Sequence, residues 1–546
     1  MEKVFTIIVA GQAGHGVRKA GIVISKMFRD MGLNVFQMDD YPSLIKGGHN
    51  FVVVSASSKR LLSHYMKADI VVALDERSYH IHKEHMVEKG IIVFDDSFKG
   101  EGIALPIIRE AKKYSSSLNI SGVSAVAILS AAIGTNKDDL SEIIKKEYPR
   151  NAEENVGYAL AIYKLAKDKV RLDLPLKKKR KGCSLLTGNE AIALGMAGAG
   201  LDIYFAYPMT PSTSILHLLS KHSNELGIVV TQPENEIAVA NMAIGAAFAG
   251  ARVAVGTSGG GFALMEEAFS LAGMVEAPVF FVLSSRPGPS TGVPTYTEQA
   301  DLLFAIHQGH GEFPRIVASP GSIEEAFYLA GELLDLAWRF QTPSILLTEK
   351  HLSESRLSVS LDVSKVQEAI PIGHKKGKYK RYLITEDGVS PLLFPPSGEV
   401  IKWNSYEHDE MGITTEDVEM IAKMHNKRLK KREAIVEYMK GMRTVNEYGE
   451  GDEVIFTFGS TTMSVLEALD YADITARVVQ PIYLEPFPIW ELRKYKRGIV
   501  VEQNSRGQLA ELLREKAGVE ITSTIKRYDG RPFDVIELSS KIKGCL

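Results

Sequence analysis

An α/β protein built from three parallel-sheet domains is the architecture this sequence predicts, and three observations carry the prediction. Short apolar runs of strand length alternate with longer stretches of helical periodicity. The runs end repeatedly in Gly- or Pro-rich turns, as at Gly11-Gln-Ala-Gly-His-Gly16, Tyr207-Pro-Met-Thr-Pro-Ser212, Ser258-Gly-Gly-Gly261 and Gly459-Ser-Thr-Thr462. The pattern also starts afresh along a chain of 546 residues, long enough for about three or four domains. Strand, turn and helix in alternation is the order of a parallel sheet covered by helices.

In chain order, Val4 to Ala10 is a buried strand that runs into the loop Gly11 to Gly16, and Val17 to Met31 follows with helical spacing. Such a strand-to-helix turn offers backbone N–H groups to a phosphate. The dinucleotide fingerprint asks for Gly where Ala13 stands, although Asp39 and Asp40 lie about twenty residues on, where a ribose-binding acid belongs. An NAD-linked oxidoreductase is therefore one reading. Lys46-Gly47-Gly48-His49-Asn50 then leads into a strand at Phe51 to Ser55, and strands at Ile70 to Leu74 and Ile91 to Asp95 complete a unit spanning 1–169. His80, His82 and His85 invite a metal, but the neighbouring Lys83, Glu84 and Glu88 mark a solvated helix face. Residues 170–182 carry Lys177-Lys-Lys-Arg-Lys181 without apolar periodicity, between two complete patterns, and read as a basic linker rather than a nucleic-acid patch.

The segment 183–352 holds the densest set of motifs. Asp202 to Ala206 is a short buried strand whose following turn is stiffened by Pro208 and Pro211, so that Thr210 is held in a fixed, non-helical place. Ile228 to Thr231 is a second strand, leading through Gln232-Pro-Glu234-Asn-Glu236 into the small-residue helix Ile237 to Phe248. A carboxylate there is stabilised by the helix start or faces a ligand that needs a proton relay. Ala251 to Thr257 runs into Ser258-Gly259-Gly-Gly261, which permits close backbone approach. Pro278 to Ser285 ends in Arg286, an anion fork, at the head of a loop rich in Pro and Gly. Four such features at the same end of successive strands point to one ligand site.

Residues 353–450 are charged and poor in sheet patterns. His408, Asp409 and Glu410 are successive, and three successive side chains do not readily converge on one ion. The helix Val418 to Lys440, with Lys427-Arg428 and Lys430-Lys-Arg432, reads as surface or interface. A last α/β domain, 451–546, begins at Glu453 to Phe458 and continues through Val478 to Ile482 and Ile499 to Asn504.

Composition narrows the function. Apolar residues at 45% and charged residues at 24% are those of an ordinary globular protein. A net charge of −3 argues against a general nucleic-acid binder. With only Cys183 and Cys545, the chain cannot by itself supply four thiolates to an iron–sulfur cluster or structural zinc. Scarce cysteine fits a reducing compartment. The apolar runs Val4 to Ala10 and Gly122 to Gly134 are too short for a leader or a span. The expected location is the cytoplasm, with no membrane or nucleic-acid partner.

The runs YPMTPST, QPENEIAVANMAIGAAFAG, TSGGGFALMEEA and SRPGPSTGVPT-TEQADL resemble the pyrimidine-binding domain of the alpha subunits of 2-oxoacid:ferredoxin oxidoreductases, and GNEAIALG at its start agrees. The segment 1–169 is similar to their gamma domain, here fused to the alpha portion, with Ala13 and Lys46 departing from the commoner Gly and Arg. The segment 451–546, with Glu502-Gln-Asn-Ser-Arg-Gly-Gln-Leu509, resembles their transketolase C-terminal-like domain, which has a structural role.

The resemblance implies coenzyme A-dependent oxidative decarboxylation of a 2-oxoacid to acyl-CoA and CO2, with electrons to ferredoxin. It implies thiamine diphosphate, whose pyrimidine N1′ meets the acid Glu236, with Glu234 the competitor, and whose surroundings include Tyr207, Pro208, Ser258 and Gly259. Thr210, Arg286 and Tyr296 fall on the substrate. Gly11, Gly14, Gly16, Gly47 and Gly48 fall on the coenzyme A side. Mg2+, the diphosphate and the [4Fe-4S] cluster are left to a beta subunit, in a dimer of alpha–beta heterodimers; no metal is expected on this chain. Relatives acting on 2-oxoglutarate carry Lys or Arg where Tyr296 stands, so a monocarboxylic 2-oxoacid such as pyruvate is expected. A scaffold that has lost its chemistry is the non-enzymatic reading.

Overall fold

A computed structural model describes residues 4–43, 47–172, 183–374 and 377–546. Lys46 and the basic run Lys177 to Lys181 lie outside the described residues. The chain divides into two compact units, one of residues 1–186, 355–360 and 534–537, the other of 187–354, 361–533 and 538–546. Among the described residues no helix is long and apolar enough to cross a membrane.

The first unit is built on an eight-stranded sheet. Ile103–Leu105, Met86–Asp95, Ala68–Ala73 and Phe5–Gln12 pair in parallel. His49–Ser57 then runs antiparallel to both Phe5–Gln12 and Asn34–Asp40. Asn34–Asp40 and His49–Ser57 are consecutive strands paired antiparallel, so this half of the sheet contains a hairpin. Arg356–Val359 and Ser184–Thr187 close the far edge. Ile8, Val53 and Val71 are fully buried.

The second unit contains a seven-stranded and a five-stranded sheet. Ser344–Glu349, Val279–Ser285, Val253–Thr257, Ile203–Phe205 and Val229–Thr231 lie side by side in parallel. Ile316–Ala318 extends the row, and Tyr483–Glu485, from much later in the chain, adds an antiparallel edge strand. The helix Gly188–Gly198 opens with a capping box in which Thr187 and Glu190 exchange side-chain-to-backbone hydrogen bonds. It presses on Ile323–Phe340 so closely that a Cβ at Gly195 would stand 2.0 Å from the Phe327 carbonyl. In the smaller sheet Val454–Phe456 and its neighbours Arg477–Pro481 and Arg497–Glu502 are parallel, with Val445–Tyr448 antiparallel at one edge. One apolar core runs through both sheets, from Phe205 and Phe262 to Phe456 and Leu509.

Two sequence expectations are corrected. The helix Val418–Met439 keeps Lys430 and Arg432 on the surface as expected but turns the other three basic residues inward: Lys427, Arg428 and Lys431 are buried. Lys427 and Lys431 donate to Glu276, whose carboxylate they hold well below the usual range, and Arg428 pairs with Glu407. Lys431 also donates to the Gln341 carbonyl, and burial beside other cations pushes its ammonium down to about 7. The solvated face expected at His80, His82 and His85 holds for His80, whereas His82 is fully buried between His49 and His85, at 3.0 and 3.1 Å. Burial lowers its pKa to about 3.

Candidate active site

Adjacent parallel strands must finish at the same edge, and the four motif loops leave that edge together. The turn after Ile203–Phe205 presents Tyr207 and Pro208, both exposed, and then Thr210. The carbonyl of Thr210 accepts a 2.8 Å hydrogen bond from Arg286 Nη1 across the sheet edge. The contact is thus through the backbone of Thr210 rather than its hydroxyl.

Asn235 caps the helix Glu236–Phe248 by accepting from Ala238 N at 2.9 Å, which turns the first helical residue inward. Glu236 is 4% exposed and its Oε1 has no hydrogen-bond partner, while Glu234 is exposed. A Cβ at Gly261 would come within 2.7 Å of Glu236 Oε1 and 2.2 Å of Thr257 Oγ1. Glycine at that point leaves a cradle over the carboxylate. A buried oxygen without a partner costs about 1–3 kcal/mol or more, and a ligand donor or acceptor would remove that cost. Ser258, with a buried unpartnered hydroxyl, starts the helix Gly259–Leu264 next to it.

Arg286 follows the strand Val279–Ser285, is 8% exposed, and has a buried Nε without a partner. Its charge is faced by Asp301 and Glu236. Asp301 accepts from Ser285 Oγ at 2.8 Å and crowds Gly259, where a Cβ would stand 2.7 Å from Asp301 Oδ2. Burial raises the Asp301 carboxyl, and burial together with the charge of Asp301 pushes Glu298 up to about 7.

The loop between them is pinned residue by residue. Thr297 N donates to the Gly530 carbonyl and Gln299 N to the Gln503 carbonyl, at 3.1 and 2.7 Å. The Gln299 side chain binds Phe458 O, Thr461 Oγ1 and Gln503 N. Tyr296 lies under Arg531, whose guanidinium carbon is 3.7 Å from the ring centroid. Glu502 accepts from Leu509 N, Ala510 N and Asn504 Nδ2, so the segment around it fixes the strand end that holds Gln299.

Sequence reasoning missed Asp301, Glu298, Gln299 and Arg531. The first three stand in the TEQAD run, whose close-set polar and acidic residues directly after the Pro- and Gly-rich loop are the signal that could have marked them. Arg531 carries no such signal, because its partner lies far back in the chain.

In the first unit the two glycine turns meet: Ala13 N donates to Gly48 O at 2.9 Å. Gly14, Gly16 and Gly47 have φ of 99°, 75° and 75°, and a Cβ at Gly16 would strike the Asn119 carbonyl at 2.3 Å. Gly11 packs on Leu74, and a Cβ at Gly48 would meet Pro42 at 2.3 Å. A cavity of about 230 Å³ beside these turns is lined by Ala13, Arg18, Asp39 and Tyr41. The acid expected to hold a ribose, Asp39, is engaged there by Arg18 at 2.7 Å. His408 stacks on Tyr382, Glu410 pairs with Lys380, and among the described residues no cluster has metal-ligand geometry.

Comparison with known proteins agrees with this geometry. Residues 194–427 match the family "Pyruvate flavodoxin/ferredoxin oxidoreductase, thiamine diP-bdg", and residues 6–165 the family "Pyruvate ferredoxin/flavodoxin oxidoreductase". Fold and site edge together define an α/β oxidoreductase chain with a thiamine-diphosphate-binding domain. A 2-oxoacid:ferredoxin oxidoreductase alpha subunit of Aeropyrum pernix is 32% identical, over 99% of this chain and 97% of the relative. A 2-oxoglutarate synthase subunit KorA of Archaeoglobus fulgidus is also 32% identical, over 60% of this chain and 89% of its own. The solved 2-oxoglutarate:ferredoxin oxidoreductase of Magnetococcus marinus, with 2-oxoglutarate, coenzyme A and succinyl-CoA bound, superposes with a TM-score of 0.91 at 29% identity, over 100% of both chains. This chain belongs to the 2-oxoacid:ferredoxin oxidoreductase family, as an alpha subunit.

Proposed function

We propose that the chain provides half of the active site for coenzyme A-dependent oxidative decarboxylation of a 2-oxoacid, giving acyl-CoA, CO2 and reduced ferredoxin. The observation that carries this reading is the buried, unpartnered oxygen of Glu236 under the Gly261 cradle. That pairing suits the edge of a thiamine pyrimidine, with Tyr207, Pro208, Ser258 and Gly259 around it. When bound, thiamine diphosphate would supply the carbanion chemistry of the decarboxylation, and Glu236 with its neighbours would hold its pyrimidine. Glu236 holds the proton that the pyrimidine N1′ shares. Arg286 takes the substrate carboxylate with its free donor edge, and Thr210 fixes the arginine from behind.

A second chain completes the site. Ile237, Met242, Leu264 and Val293 are exposed apolar residues on the elements that carry the motifs, at 51%, 45%, 53% and 45% exposure. They suit a beta subunit holding the diphosphate, Mg2+ and a [4Fe-4S] cluster, for which two cysteines here do not suffice. The assembly proposed is a dimer of alpha–beta heterodimers in the cytoplasm, reducing ferredoxin. Gly11, Gly14, Gly16, Gly47 and Gly48 form the coenzyme A side.

Tyr296 favours a monocarboxylic 2-oxoacid, since a phenol gives one neutral hydrogen bond. Arg531 above the ring favours a second reading, a dicarboxylic 2-oxoacid with its distal carboxylate on that cation. Comparing kcat/KM for pyruvate, 2-oxobutyrate, 2-oxoisovalerate and 2-oxoglutarate in the reconstituted assembly decides between them. A tenfold preference for 2-oxoglutarate, about 1.4 kcal/mol, overturns the monocarboxylic reading.

A further inference from the structure

His49, His82 and His85 in the first unit form a continuous hydrogen-bonded chain that no step above uses. Its tautomers are fixed from one end. Ser78 Oγ stands 2.9 Å from Asp75 Oδ1 and donates to it, as Ser78 N does at 2.8 Å. A hydroxyl has one proton, so Ser78 Oγ accepts from His49, whose Nδ1 lies 3.3 Å away. His49 therefore carries its proton on Nδ1 and accepts at Nε2 from His82 Nε2, at 3.0 Å. The Nδ1 of His82 is left to accept from His85 Nδ1, at 3.1 Å. Each neutral imidazole donates once and accepts once, and the Nε2 lone pair of half-buried His85 is left over at the outer end.

That arrangement is set to carry a proton inward. When a proton lands on His85 Nε2, His85 hands its Nδ1 proton to His82, and His82 hands its Nε2 proton to His49. The charge arrives on His49, and the reverse sequence returns it to solvent. His82 does not keep it, because burial lowers that ring to about 3. Both ring nitrogens of His49 are engaged, so its second proton comes through His82. The inner end of the chain sits at the glycine turns. His49 follows Gly48, whose carbonyl accepts from Ala13 N, and its ring stacks on Phe51, which lines the cavity of about 230 Å³ beside those turns. Leu74, the residue before Asp75, packs where Gly11 lacks a Cβ. There His15 Nδ1 is buried without a partner, as is Asp75 Oδ2.

We propose that His85, His82 and His49 are a proton path that charges His49 when the diphosphate of coenzyme A settles on the glycine turns, and discharges it when the ligand leaves. The imidazolium gives the anion a counter-charge that the empty chain lacks, and Asp75 steadies it from behind through Ser78. The three rings are positioning residues, since none touches the reacting atoms, and the proposal rests on the coenzyme A reading of these turns. Burial lowers the pKa of both His49 and His85, so the empty chain stays neutral near pH 7 and an anion tips it. Asp75 and Asp40 favour charge on His49, and Arg77 opposes it. At the outer end Lys67 opposes charge on His85, and Asp534 and Glu84 favour it.

The test follows binding of dephospho-coenzyme A to the alpha–beta assembly, by calorimetry in two buffers of different ionisation enthalpy at about pH 7. This probe keeps the diphosphate and lacks the 3′-phosphate, which itself titrates near neutrality. The wild type should take up about half to one proton, and its Kd should rise up to about tenfold per pH unit above ~7. His49→Gln should bind the probe without uptake. In stopped flow with a pH indicator, uptake by the wild type should keep pace with binding. His85→Ala, a change at the half-buried outer end, should slow the uptake roughly tenfold or more, and imidazole added to the solvent should restore its rate. Uptake in His49→Gln equal to that of the wild type overturns the proposal, as does fast uptake in His85→Ala that is indifferent to imidazole. Binding to the wild type without proton uptake, with coenzyme A still required for turnover, defeats the proposal and leaves the functional reading standing. Failure of both coenzyme A and the probe to bind defeats that reading, and the proposal falls with it.

Discussion

At the scale of single residues, burial separates the two candidate acids. Glu236→Gln should leave the fold intact, by circular dichroism, and lower 2-oxoacid-dependent acceptor reduction by ~10²-fold or more, because an amide cannot share the proton. Glu234→Gln, at an exposed position, should turn over near normally. Reversal of that pair of results would show Glu234 to be the acid. The motif QPENE made Glu236 legible in the sequence. Nothing local made Glu276 legible, because its partners Lys427 and Lys431 stand 151 and 155 positions further along the chain.

That buried cluster has its own pH signature. Its carboxylate is held below the usual range, so its contribution is present above about pH 4.5 and is lost as the pH falls into the acid range. Lys431 behaves in the opposite sense. Between about 7 and 10.5 the unfolded lysine keeps a proton that the folded one has lost, so stability rises with pH across that window. Thermal unfolding should therefore show the wild type gaining on Lys431→Met from pH 7 to 10. Glu276→Gln, which leaves Lys427 and Lys431 buried without their counter-charge, should cost about 3–5 kcal/mol.

At the scale of elements, the strand ends were legible and the helix faces were not. Gly and Pro after each apolar run mark where a parallel strand must stop, and the site loops lie there. The helix Val418–Met439 hid its inward face because Lys427, Arg428 and Lys431 interrupt the apolar Met424, Ile435 and Met439 on it, and periodicity sees only the apolar ones. The antiparallel hairpin of the first sheet was hidden too, since a strand reads the same in either direction. The helix start at Gly259–Leu264 gives a sharp test. Gly261→Ala puts a methyl group on Glu236 and Thr257, and should weaken thiamine diphosphate binding at least tenfold, read by titration of the cofactor into the assembly, and lower the melting temperature through overpacking of about 1–3 kcal/mol.

At the scale of the whole molecule, the chain purified alone should be colourless and unable to reduce an acceptor with any 2-oxoacid. A brown, cluster-containing preparation without a partner would remove the case for a beta subunit. The strand Arg356–Val359 bears on a different property. It follows the segment that carries the site, yet it hydrogen-bonds to Asn34–Asp40 in the first sheet, with Ser184–Thr187 outside it. The covalent link through 173–182 is therefore duplicated by a non-covalent one. Residues 1–172 and 183–546, produced as separate polypeptides, should find each other and co-elute, because the second piece brings back the two strands that the first lacks. A fusion of this kind is secured by a swapped ribbon as well as by a peptide bond, so a later break at the junction would yield two subunits without exposing a raw sheet edge.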